Sequence, residues 1–133
     1  MTSKYVLHIT SQDTIDIKEY KDYQTINDLV GGWYEICGFF NKKYMLYCNE
    51  EFLFEDKCQF NALATIINSH QPIYGDTVLM ADGFTNEGER DSVPISCEEA
   101  VYVRELLYEL KERAALVIDK LHKDFDNNKP KLN

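Results

Sequence analysis

Apolar residues along this chain switch between a two-residue spacing and a three-to-four-residue spacing, and each switch marks an element boundary. Residues 5–10, YVLHIT, are aromatic and β-branched enough for a strand, and the polar SQDT after them reads as a turn. The next stretch, IDIKEYKDY, is ambiguous: Ile15 and Ile17 alternate, but the charge density suggests an exposed connection. From 23 to 30 the apolar positions Tyr23, Ile26, Leu29 and Val30 give a short helix one buried face. Asp22 suits its N-cap and Gly31 its left-handed C-cap.

WYEICGFF and YMLYCNEEF, separated by Asn41, Lys42 and Lys43, then read as a β-hairpin covered on both sides. A helix is predicted over 58–70, where Phe60, Leu63, Ala64, Ile66 and Ile67 recur at helical spacing before Pro72. A strand over 73–81 is entered through Gly75 and Asp76, and DGFTNEGERDS reads as an exposed loop. Ser96 and Glu99 form a capping-box pattern at the start of a long helix, 97–123. Its apolar seam runs through Ala100, Val103, Leu107, Leu110, Ala114, Val117 and Leu121, alternating steps of three and four. Two covers for that seam are open, the protein's own sheet or the same helix of a second copy, and Leu106, Ile118 and Phe125 widen the stripe toward the first.

These elements predict an α+β fold: a small, mainly antiparallel sheet with helices packed on one side and a long C-terminal helix. A single domain over 1–125 and a flexible tail over 126–133 are expected, without repeats or linkers.

Composition narrows the function classes. The 133 residues carry 14 Lys and Arg against 23 Asp and Glu, a net charge of −9, which opposes nucleic-acid backbones and suits cationic protein surfaces. No apolar run is long enough to span a bilayer and the N-terminus lacks the pattern of a secretory signal, so a cytoplasmic protein without membrane contact is expected. Cys37, Cys48, Cys58 and Cys97 form no C-x-x-C pair, and His8, His70 and His122 complete no zinc set, so reduced thiols and no cofactor are expected.

Several motifs together resemble a domain-of-unknown-function family of bacteriophages and mobile elements of Gram-positive bacteria. The positions that carry the likeness are Val30, Gly31, Gly32, Glu35, Asn49, Glu50, Glu51, Asn61, Ala64, Thr65, Gly75 and Asp76, within residues 23–81. The resemblance implies a phage or mobile-element setting, hence the host-cell cytoplasm, and supplies no catalytic residues. The charged C-terminal helix and the insertion FLFEDKCQF depart from the family pattern.

The glycine pair does not form a phosphate loop, because it follows a helix and precedes a strand, the reverse of the order that aims helix amides at an anion. Candidate ligand- or partner-binding residues are Glu35, Asn49, Glu50, Glu51, Asn61, Thr65 and Asp76. The carboxylates could serve a metal or acid–base site, and Asn49 and Asn61 could instead satisfy buried backbone groups. Aromatics concentrate in the hairpin and its exit, at Tyr34, Phe39, Phe40, Tyr44, Tyr47, Phe52 and Phe54. The leading expectation is a non-catalytic accessory protein that binds a host or defence protein through acidic, aromatic surface, with a homodimer through the C-terminal helix as one mode of assembly. The alternatives are a small-ligand binder that sequesters a nucleotide-derived molecule and a metal-dependent hydrolase using Glu35, Glu50, Glu51 or Asp76.

Overall fold

The computed structural model describes residues 4–51, 59–68, 71–84, 87–88 and 90–125. Six strands, β1 (Tyr5–Ile9), β2 (Ile15–Glu19), β3 (Tyr34–Phe40), β4 (Tyr44–Asn49), β5 (Thr77–Phe84) and β6 (Arg90–Val93), join in one sheet. Four helices accompany them: α1 (Tyr23–Val30), α2 (Ala62–Ile67), α3 (Cys97–Arg113) and α4 (Ala115–Phe125). The strand order is β2-β1-β5-β4-β3, with β6 also paired to β5, and every pairing is antiparallel. The fold is α+β, as the pattern predicts.

The ambiguous segment after the first turn is an edge strand. Ile15 is buried and Ile17 packs against the core, while Asp16, Lys18 and Glu19 face solvent, which is the alternation of a sheet with one covered face. The segment read as an exposed loop instead extends β5 to Phe84 and returns as β6, with Ala81 opposite Val93. Tyr5 exchanges both backbone hydrogen bonds with Ile95, at 2.8 and 2.9 Å, so the chain leaving β6 runs beside the start of β1.

Both faces of the central strands are apolar, and each needs a cover. On one face, Leu7, Ile9, Leu46 and Leu79 pack with Leu63 and Ile67 of α2 and with Ala100, Val103 and Leu107 of α3. On the other, Val6, Tyr47, Val78 and Met80 pack with Ile26 and Val30 of α1. The expectation of helices on one side therefore holds for α2, α3 and α4 but not for α1. This helix carries the chain from the β2 edge to the β3 edge and lies across the second face on the way. Its stripe is Ile26, Leu29 and Val30; Tyr23 is mostly exposed.

The caps follow the sequence closely. The Asp22 side chain accepts from the Gln24 amide, and Gly31 ends α1 in the left-handed region at φ 83°, where the absence of a Cβ avoids a cost of about 1–2 kcal/mol. At α3, Ser96 accepts from the Glu99 amide, but Glu99 does not reach back to close a capping box; its Oε2 accepts from the Tyr44 hydroxyl at 3.1 Å. Burial, with that bond second to it, keeps the Tyr44 phenol protonated, with its pKa pushed up to about 12.

The single long helix of the sequence reading divides at Ala114, whose backbone sits at φ −98°, ψ 15°. The first half of the predicted seam lies on the protein's own sheet, where α3 packs against β1 and β2. Beyond Ala114 the buried face rotates: Ile118 is buried and Leu121 and Phe125 pack beside Phe60 and Tyr74, whereas Leu116 and Val117 are exposed. The elbow is tied to the β1–β2 turn by Asp13, whose carboxylate meets His122 Nε2 at 2.8 Å and whose carbonyl accepts from Lys111 Nζ at 2.8 Å. The i,i+4 pairs Glu109–Arg113 and Asp119–Lys123 form on exposed faces.

The helix predicted over 58–70 spans only Ala62–Ile67, with Asn61 as its N-cap. Phe52, Phe54, Cys58, His70, most of the FLFEDKCQF insertion and the 126–133 tail lie outside the described residues. Among those described, Cys37, Cys48 and Cys97 are free thiols; Cys48 is buried and Cys97 is exposed. No described helix is long and apolar enough to cross a membrane.

Candidate functional site

Three chain turns meet at one end of the sheet: the exit of β1, the end of α1 and the entry to β5. Between them lies a cleft of about 530 Å³, lined by Ser11, Gln12, Asp28, Asn49, Gln59 and Asp76 together with the backbone of Gly31 and Gly75. A second depression of about 390 Å³ shares Asp28 and Gly31 with the first and continues past Gln24, Asn27 and Gly32 to the Trp33 ring.

The walls are held by asparagines that stand in for backbone partners. Asn61, fully buried, donates from Nδ2 to the carbonyls of Ile9 at 3.0 Å and Gly75 at 2.9 Å, and its Oδ1 accepts from the Ala64 amide at 3.0 Å. One side chain thus joins β1, the β5 entry and α2. Thr65, one helical turn later, donates to the Asn61 carbonyl and accepts from the Ile73 amide. Asn49, 5% exposed, donates to the Val30 carbonyl at 3.4 Å and accepts from the Glu51 amide at 2.8 Å, which locks the end of α1 to the end of β4. A Cβ at Gly32 would lie 3.0 Å from Asn49 Nδ2, so the second glycine allows this close approach.

The sequence-nominated residues accordingly divide. Asn49 and Asp76 line the cleft, and Asn61 and Thr65 build its wall. Glu50 and Glu51 are exposed in the turn after β4. Glu35 lies apart on β3, exposed and in register with Cys48, on the sheet face opposite α1. Among the described residues no three His, Cys, Asp or Glu side chains gather closely enough to hold a metal ion.

Asp76 is the most constrained carboxylate here. Its Oδ1 accepts from the Ser11 amide at 3.1 Å, and its Oδ2 lies 3.3 Å from Nε2 of the largely buried His8. Burial pushes the Asp76 carboxyl up, but the adjacent His8 imidazole and the hydrogen bond from the Ser11 amide outweigh it and set the group below its ordinary 3.8. A lowered folded-state value means that this carboxylate contributes stability above pH 3.8, lost as pH falls through the folded value. Urea midpoints of the wild type and an Asp76→Asn variant should therefore differ at neutral pH and converge as pH is lowered through 3.8; a constant gap across that range would remove this role.

Electrostatically the cleft and groove are sinks for donors. None of the described residues lining them is basic, and both carry the Asp28 carboxylate. They lie at the carbonyl end of α1, whose last turn has no basic side chain to offset the negative end of the helix dipole. A phosphate would meet no counter-charge here, whereas a cation or an N–H-rich ligand would.

Sequence reading missed Trp33, Asn27, Asp28, Gln59 and His8. The one available signal was the chain's single tryptophan, placed between a helix stop and a strand. Trp33 is 66% exposed, and Ile36 and Phe39 follow it along β3 at 48% and 53%. Their register with Tyr47 and Met45 puts Ile36 and Phe39 on the α1 side of the sheet.

Compared with known proteins, residues 1–108 match the family described as DUF3846, a domain of unknown function. The match takes in the whole cleft and ends within α3, before α4 begins. No curated protein and no solved structure matches the chain.

Proposed function

This chain belongs to the DUF3846 family, a domain of unknown function, and from its surface we propose that it is a non-catalytic binding protein that docks another protein through the β3 side of the sheet. The observation that carries this reading is a set of exposed apolar side chains, Ile36 and Phe39 on a strand that ends the sheet order and Trp33 immediately before it. Apolar side chains in a row on an outer strand, beside acidic surface, are the composition of an interface anchor rather than of a solvated edge. Most proteins protect such an edge with charge.

The setting we propose is a bacteriophage or mobile element, with a host or defence protein in the host-cell cytoplasm as the partner. The net charge of −9 favours a cationic partner surface, through both steering and specificity. The test is affinity capture from host lysate with the wild type and with an Ile36→Thr/Phe39→Thr variant. Threonine suits an exposed strand, so the variant should fold. A partner retained by the wild type should fall by about 30-fold or more with the variant, the effect of losing hot-spot side chains. Equal recovery, or no protein retained by the wild type, would overturn the reading.

The cleft favours a small polar ligand as a second reading. With two carboxylates and no basic side chain among the described residues of its lining, it suits an amine better than a nucleotide, whose phosphates it would repel.

A further inference from the structure

The groove at the end of α1 has three properties that bear on its occupant. Its rim is a mostly exposed tryptophan; its floor includes Asn27, 7% exposed, whose Oδ1 has no hydrogen-bond partner among the described residues; and its side carries the Asp28 carboxylate. Asp28 is held in place by a 2.9 Å hydrogen bond from Gln24 Nε2, one turn earlier on the same helix. The Asn27 carbonyl already accepts from the amides of Gly31 and Gly32, at 2.9 and 3.0 Å, so the α1 terminus is closed on itself with its negative end toward the groove.

We infer that this groove is the seat of an arginine side chain from the partner protein. A guanidinium is flat, always charged and carries five N–H donors in one plane. It can lie on the Trp33 face and direct donors at Asp28. An ammonium would satisfy the charge but not the stacking, and a phosphate would satisfy neither. The net charge of −9 and the absence of basic residues among the described residues of the groove favour a cationic occupant over an apolar one. This inference rests on the proposed binding role and narrows its partner to one that presents arginine beside the Ile36 and Phe39 row.

Because Trp33 is the only tryptophan, its fluorescence reports on the groove directly. Titration of the full chain with N-acetyl-arginine amide should change that emission saturably, with a dissociation constant on the order of 1–10 mM for so small a ligand. The lysine analogue should bind at least about 5-fold more weakly, and the uncharged citrulline analogue should leave the emission unchanged. In an Asp28→Asn variant, exposed and so expected to fold, the arginine affinity should fall by about 5-fold or more. Absence of saturable change with arginine, equal response to citrulline or lysine, or full affinity in Asp28→Asn would overturn the inference. If those outcomes occur while a partner is still captured through Ile36 and Phe39, the guanidinium seat fails and the binding role stands.

Discussion

Asn61→Ala should be the most damaging single substitution outside the apolar core, lowering stability by about 3–5 kcal/mol. The side chain is fully buried and makes three hydrogen bonds, to the Ile9 and Gly75 carbonyls and from the Ala64 amide. Truncation leaves the Gly75 carbonyl and the Ala64 amide without partners, at about 1–3 kcal/mol each, partly relieved where water can enter from the cleft, while the Ile9 carbonyl keeps only its 3.0 Å bond from the Thr77 hydroxyl. Against a total of roughly 5–15 kcal/mol for a domain, this is a large fraction. In urea it should appear as a fall in midpoint of roughly 2 M, with the slope unchanged. Asn61→Asp tests the explanation more sharply. The aspartate keeps the acceptor for Ala64 but aims a carboxylate at two carbonyls, so its deficit should shrink on acidification as a protonated carboxyl regains one donor. A midpoint within a few tenths molar of wild type for Asn61→Ala would show that the side chain is not the joint described here.

The second large effect is expected at Phe60, which is 1% exposed and holds α4 in place. Its ring stacks on Phe125 with centroids 5.0 Å apart and meets Tyr74 and His122 edge-on at 5.5 and 5.7 Å. Phe60→Ala should cost about 3–5 kcal/mol, and the loss should be uneven. Amides of α4 should exchange much faster, through local opening, while those of α3 follow only the global change. Leu107→Ala, in the core under α3, should raise exchange throughout instead. Hydrogen exchange read peptide by peptide separates the two patterns. Uniform exchange in the Phe60 variant would mean that α4 and the sheet open as one unit.

Much of this fold was legible because it is written locally. Asp22, Gly31 and Ser96 act through neighbours a few residues away, so α1 and the start of α3 could be placed from the sequence. What was not legible is set by distant partners. Nothing local marks Ala114 as a break, since the seam continues through it without Gly or Pro; the elbow exists because α3 follows β1 and β2 while α4 must reach Phe60. The β6 strand was hidden for a related reason. Three of its four residues are polar, and it is a strand only because β5 runs on past the core to pair with it. Glu99 shows the same contest at one residue: the local bond to Ser96 gives way to a bond with Tyr44, 55 positions away.

The site follows this division. Asn49, Asn61 and Asp76 could be nominated as polar residues at turns, and the reading that the two asparagines satisfy buried backbone groups holds; what the sequence could not say is that Asp76 faces a cleft. Glu35 was nominated with them and lies on another face, because strand alternation turns it away from α1. Trp33 escaped notice because a single aromatic residue after a helix stop reads as the start of a core strand, and only the end of α1 beside it reveals a groove.

The position of β1 also bears on how the chain is made. Leu7 pairs with Leu79 and Tyr5 with Ile95, so one side of the first strand has no partner until most of the domain has left the ribosome. At bacterial to eukaryotic elongation rates of about 5–20 residues per second, the interval is roughly 4–14 s. During it the β1–β2 hairpin exposes an apolar edge in a cell crowded with other nascent chains. The three hairpins can close early, but the sheet itself is a late product of synthesis, completed when β5 arrives between β1 and β4.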